Sequence, residues 1–163
     1  MARLWQAGAE LQSVTNAVEY TTNITTAPVL ETTIKRSGNA AWRIANAAAV
    51  EGFRQAHTSS QGAFFFRVYL YIVALPTLPS VIIQARTTGA EKITIRLTAA
   101  GLLQLYNSED NAQIGSNSSA LSTATWYRVE LGYNSTTLSA TTCEARAYVD
   151  ITDATAFWNP SGT

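Results

Sequence analysis

The chain has 163 residues, 11 basic and 11 acidic side chains, one histidine and one cysteine. That length suits one domain with a core of its own, and zero net charge leaves no electrostatic footprint for nucleic acid or an anionic membrane surface. Charged residues make up only 13% of the chain, about half the usual share, and Thr, Ser, Asn and Ala take their place.

At the N-terminus, MARLWQAGAELQS lacks the apolar core of a secretory signal, so the chain is expected to be made without export. Strands are predicted from local apolar–polar alternation at 3–6, 32–35, 41–45 and 52–56, with residues 7–31 polar and without clear period. The run NAAAV at 46–50 is the best helical candidate, and five uncapped residues make at most one turn. A long strand follows at 63–74. There Phe64, Phe66, Val68, Leu70 and Ile72 share one face, while Phe65, Arg67, Tyr69, Tyr71 and Val73 share the other. The run from Ala63 to Leu75 is interrupted by Arg67 and is too short to cross a bilayer as a helix, so no membrane partner is expected. Further strands are predicted at 80–87, 92–98, 102–106 and 112–114, separated by short turns that make neighbours antiparallel. Finally, TWYRVELGY at 125–133 and CEARAYVDIT at 143–152 alternate as the two arms of a hairpin, the last clear strands. No linker or internal repeat interrupts the chain, so a single domain over 1–163 is expected.

Residues able to carry chemistry are few. His57 stands alone, Cys143 has no motif tying it to His57, and no Gly-x-Ser-x-Gly elbow or glycine-rich phosphate loop occurs. One histidine and one cysteine cannot close a zinc site. Glu109 and Asp110 are adjacent in a loop, Asp150 and Asp153 straddle a strand end, and Glu130, Glu144 and Asp150 are not spaced as a catalytic pair. An enzyme is therefore not expected. Asn107, Glu109, Asp110 and Asn111 crowd oxygen ligands into one loop, which makes Glu109 and Asp110 a weak calcium candidate; no other cofactor is expected. Sequons at Asn23, Asn117 and Asn134 are at chance level in a chain so rich in Ser, Thr and Asn, and they are expected to be unmodified. Cys143 reads as a small buried residue.

Aromatic residues are the stronger signal. Trp42, Trp126, Tyr127, Tyr133, Tyr148, Phe157 and Trp158 could stack on sugar rings, although core packing accounts for most of such residues in any sheet protein. Phe157 and Trp158 follow the last clear strand with nothing later to cover them. They are expected either to form an exposed contact patch or to tuck against the segment around Trp5. The contact residues expected are Trp126, Tyr148, Phe157 and Trp158.

Three pieces together, KRSGNAAWRIA at 35–45, the strand from Phe64 to Ala74, and WYRVEL at 126–131, resemble the concanavalin A-like jelly-roll family of laminin G-like, legume-lectin-like and glucanase-like sandwiches. The short motif around Trp5 and Gly8 is similar to the start of such domains in bacteriophage proteins. The resemblance covers about residues 1–155 and implies an all-β antiparallel sandwich of jelly-roll type, with another viral-type jelly roll as the alternative. It also implies a face that binds glycans in many members, with calcium near the ligand in its lectins. The acidic Glu-x-Asp-x-x-Glu strand of the family's enzymes is missing. A lectin-like fold without export signal, disulfide or catalytic set suits a bacteriophage virion protein, which is assembled in the host cytoplasm and released by lysis. A capsid-decoration or tail-associated subunit is expected, with other virion proteins and copies of itself as partners. The alternative is a carbohydrate-binding module or host-adhesion lectin that contacts surface glycans.

Overall fold

A computed structural model of the chain describes residues 22–23, 26–45, 52–56, 62–87, 90–137, 140–149 and 155–162. The strand expected at 3–6, the turn at 46–50, and Trp5, His57, Asp150 and Asp153 lie outside the described residues. The chain is all-β, with only antiparallel pairings and no helix among the described residues. It divides into two compact units, residues 1–60 and 61–163.

In the first unit, β1 (Thr22–Asn23) pairs with β4 (Phe53–Arg54), and β2 (Val29–Glu31) pairs with β3 (Ala41–Arg43). The strand predicted at 32–35 is not formed, and β2 ends just before it. The cause is Glu31, whose carboxylate accepts the backbone N–H of Thr33 at 2.7 Å and of Ile34 at 3.2 Å. Those bonds bend the chain where Thr32, Thr33 and Ile34 would otherwise favour a strand. They also hold the Glu31 carboxyl below its ordinary range, the Thr33 N–H contributing most.

The second unit holds two four-stranded sheets. One has the order β12 (Ser161–Gly162), β11 (Ala140–Val149), β10 (Trp126–Thr137), β5 (Ala63–Tyr71). The other is a meander of β6 (Ser80–Thr87), β7 (Ala90–Leu97), β8 (Leu103–Asn107) and β9 (Ala112–Ile114). Period-two alternation gives each sheet one apolar face. Val129, Leu131, Ala145 and Ala147 from the first, and Ile95, Leu103 and Leu105 from the second, are fully buried in one shared cluster. Two antiparallel sheets sharing one core are consistent with a β-sandwich. Each fully buried Leu or Ile contributes roughly 1.5–3 kcal/mol relative to exposure, so this cluster is the main source of stability.

Two connections tie the sheets together. The segment after β9 crosses back along the start of β8. Ser118 N donates to Leu103 O at 3.0 Å, Leu103 N donates to Ser118 Oγ at 2.8 Å, and Leu121 N donates to Gly101 O at 2.9 Å, with the Leu121 side chain entering the core. At the other end of the chain, residues 157–162 return along the outer edge of β11. Phe157 N donates to Ala147 O at 2.9 Å, Ala147 N to Trp158 O at 3.0 Å, and Ala145 N to Pro160 O at 3.0 Å. The tail thereby satisfies an edge that would otherwise offer unpaired N–H and C=O groups.

Candidate functional site

The outer face of the β12-β11-β10-β5 sheet gathers the polar and aromatic groups that the core excludes. Register places Tyr71 beside Trp126, Tyr69 beside Arg128, Arg67 beside Glu130 and Phe65 beside Gly132 across β5 and β10. Across β10 and β11 it places Arg128 beside Tyr148, Glu130 beside Arg146 and Gly132 beside Glu144. Tyr71 and Trp126 pack with ring centroids 5.2 Å apart at a tilt of 54°. The Arg128 guanidinium lies 3.7 Å from the Tyr148 ring centre, a cation–π contact that covers Tyr148 and helps leave it buried.

Charge on this face is internally matched. Glu130 Oε1 accepts Arg67 Nε at 2.7 Å and lies 3.3 Å from Arg128 Nε, while Arg146 Nη2 donates to Glu144 Oε2 at 3.1 Å. Gly132 leaves a gap that Phe65 and Glu144 lean over: a Cβ there would sit 2.7 Å from Phe65 Cε1 and 2.9 Å from Glu144 Cγ. A hollow beside this face is lined by Arg146, Tyr148, Thr155, Ala156 and Asn159. Glu130 and Glu144 are diagonal neighbours here, but each is already committed to an arginine.

On the other sheet, Arg96 lies 3.7 Å over Tyr106 and its Nε donates to Thr94 Oγ1 at 3.1 Å. Gln104, Gln113 and Asn117 form an amide network at 2.8–3.2 Å. In the loop proposed for calcium, Glu109 forms an ion pair with Lys92, and Asp110 Oδ2 accepts Asn107 Nδ2 at 2.7 Å. The Asn107 Oδ1 accepts the Glu109 and Asp110 N–H groups at 3.0 and 3.3 Å, so the loop is closed by its own side chains. No group of three His, Cys, Asp or Glu able to hold a metal occurs among the described residues.

The four expected contact residues separate into two environments. Trp126, half-buried, and Tyr148 share the outer face just described. Phe157 and Trp158 do not form an exposed patch. Trp158 is 4% exposed inside the core, with its Nε1–H donated to Ser116 O at 2.9 Å, and half-buried Phe157 packs edge-on to Tyr127 at 6.2 Å. The reason is the short β12 after them, together with the pairing of the tail along β11, which carries both rings inward. Two of the other aromatics also face the core side: Tyr127 is buried with its hydroxyl accepting Ser122 N at 2.8 Å, and Tyr133 stacks on Phe64 at 5.2 Å. Tyr71, Arg67 and Arg128 were not among the expected contact residues, although the alternation of β5 and β10 already put them on the same side as Trp126.

Cys143 is buried at the β11–β12 pairing, and desolvation pushes its thiol up to about 11. An unfolded chain releases this proton near pH 8.5, before the folded one does. The neutral buried thiol thus favours the folded state fully below that value, and the contribution is lost as the pH rises through about 11. Iodoacetamide at pH 8 is expected to alkylate the native chain on the order of 10²-fold more slowly than the chain in denaturant. Equal rates would show that the β11–β12 end opens freely.

No family model, curated protein or solved structure matches this chain.

Proposed function

We propose that this chain is a non-enzymatic structural subunit of a bacteriophage virion, a capsid-decoration or tail-associated protein built on a concanavalin A-like jelly roll. The observation that supports this reading most is the way the outer face spends its charge. Arg67, Arg128 and Glu130, and Arg146 and Glu144, bind one another in the plane of the sheet, and of these only Arg146 also lines the hollow beside it. Such a surface has its charges partnered within the sheet and suits docking, and the charge-poor composition of the chain fits interfaces depleted in Lys, Glu and Asp. Purified protein is expected to bind phage particles that lack it, saturably and with fixed stoichiometry, in co-sedimentation. Failure to bind any particle encoded beside its gene would sink the reading.

A second reading, a carbohydrate-binding module or host-adhesion lectin, is favoured by one specific arrangement. The Tyr71–Trp126 pair offers half-exposed aromatic surface on the same face as Tyr148 and the exposed Arg67. Sugar rings pack their C–H faces on such surfaces. A glycan-array signal that disappears in Trp126→Ala, with the fold unchanged, would move the assignment to this alternative.

A further inference from the structure

Exposed large apolar side chains in the 61–163 unit are concentrated on one stretch. Val73, Leu75, Leu78 and Val81 are 62, 39, 72 and 48% exposed, all between the end of β5 and the second residue of β6. Ala74, Thr77 and Pro79 between them are exposed too, whereas Phe65, 61% exposed, stands apart near the far end of β5. Outside these residues and Tyr69, only Val149 is an exposed large apolar residue among those described in this unit. No Asp, Glu, Lys, Arg or His occurs between Arg67 and Arg86.

We propose that the connection spanning residues 73–81 is a self-association surface, on which a second copy of this chain docks the same residues about a two-fold axis. This rests on the virion-subunit reading above, in which copies of the chain are partners, and names where the copies meet. A two-fold contact sets each residue's patch against an identical patch, so any charge near the axis meets its like. The outer sheet faces, with their arginines and glutamates, carry that penalty. The 73–81 stretch does not, because it holds no ionisable group.

Other occupants fit the stretch less well. A lipid surface is held by an apolar loop flanked by a cluster of basic residues, and here each flank carries a single arginine, Arg67, which is engaged by Glu130, and Arg86. A glycan needs a fan of hydrogen-bonding groups. The stretch offers only the Thr77 and Ser80 side-chain hydroxyls, and Ser80 Oγ already donates to Leu78 O at 3.2 Å.

Rigidity favours docking as well. Pro76 and Pro79 fix their own backbone angles, and the stretch is anchored at its start by Ala124 N donating to Ile72 O at 2.9 Å. Leu75 Cδ2 packs against the Gly101 turn, 3.2 Å from where a Cβ would stand. A surface ordered beforehand loses little freedom on binding. The prolines also lack N–H groups, which directs the contact to side chains and away from open-ended strand pairing.

The size of the patch sets the strength. Covering it would remove on the order of 500 Å² per copy, about 1,000 Å² for the pair, at the low end of specific interfaces. The contact is therefore weak in isolation, and many copies held on one particle would reinforce it through effective concentration.

Sedimentation equilibrium of the full chain from about 1 to 300 μM tests this. The expected result is a reversible monomer–dimer equilibrium whose dissociation constant rises at least tenfold in Leu78→Asp and in Val73→Asp, with circular dichroism and melting unchanged because both side chains are largely exposed. Hydrogen exchange on the wild-type chain should show concentration-dependent protection centred on the amides of 73–81. A strict monomer over this range would overturn the proposal. So would self-association that both substitutions leave intact, or partition of the stretch onto phosphatidylcholine–phosphatidylglycerol vesicles without dimerisation. Particle binding separates this result from the reading above. A monomeric Leu78→Asp chain that still binds particles supports both proposals, whereas a chain that dimerises through 73–81 and binds no particle keeps this one and removes the other.

Discussion

Trp158→Ala is expected to lower the unfolding free energy by about 3–5 kcal/mol, the range for deleting a large buried aromatic side chain. Trp158 is 4% exposed, belongs to the core cluster shared by both sheets, and donates its Nε1–H to Ser116 O at 2.9 Å. Its backbone carbonyl also accepts Ala147 N, so the side chain anchors the segment that covers the β11 edge. Removing the ring leaves a cavity and loosens that segment together. Against a typical total of about 5–15 kcal/mol, this is enough to leave a substantial unfolded population. Urea unfolding followed by circular dichroism measures it. Trp158→Phe is the informative partner: it keeps much of the apolar contact but loses the hydrogen bond and leaves a smaller cavity, so a loss nearer about 1–3 kcal/mol is expected. If Trp158→Ala cost less than about 1 kcal/mol, the tail would not be an integral part of the core.

That role for the tail was the least legible part of the sequence, and the reason is physical. Strands whose partners are close in sequence announce themselves. Ser80–Thr87 and Ala112–Ile114 alternate or sit between clear turn residues, and both fall where the pattern puts them. Ser161–Gly162 carries no alternation and follows Asn159-Pro160, a turn signal, so only its pairing with Cys143 and Glu144 makes it a strand. Phe157 and Trp158 consequently read as having no later strand to cover them, which leaves an exposed patch and a tucked pair equally open, although β12 follows. Thr32, Thr33 and Ile34 show the opposite error: strand-forming residues lost to a turn because one carboxylate, Glu31, captures two backbone N–H groups. On the outer face, the alternation of β5 and β10 shows which residues share a side. It cannot show that Arg128 lies flat on Tyr148, because that contact depends on the register between two strands.

Gly115→Ala is expected to cost about 2–4 kcal/mol for a reason that joins backbone and tail. Gly115 has φ +67°, a left-handed conformation that charges an alanine about 1–2 kcal/mol. A Cβ there would also stand 2.8 Å from Pro160 Cβ and 3.5 Å from Pro160 Cα. Pro160 has little room to yield, because its ring is rigid, it is itself buried, and its carbonyl accepts Ala145 N at 3.0 Å. Relief has to come from moving the tail off β11, which adds the roughly 1–3 kcal/mol typical of overpacking. The same displacement would strain the Trp158–Ser116 hydrogen bond one residue along from Gly115. The two substitutions are thus expected to be non-additive: in a double-mutant cycle, Gly115→Ala should cost at least about 1 kcal/mol less in the Trp158→Ala background than in the wild type. Strict additivity would mean that the alanine is accommodated by strain at residue 115 alone, with the tail left in place, and that the contact with Pro160 does not couple the loop after β9 to the edge of β11.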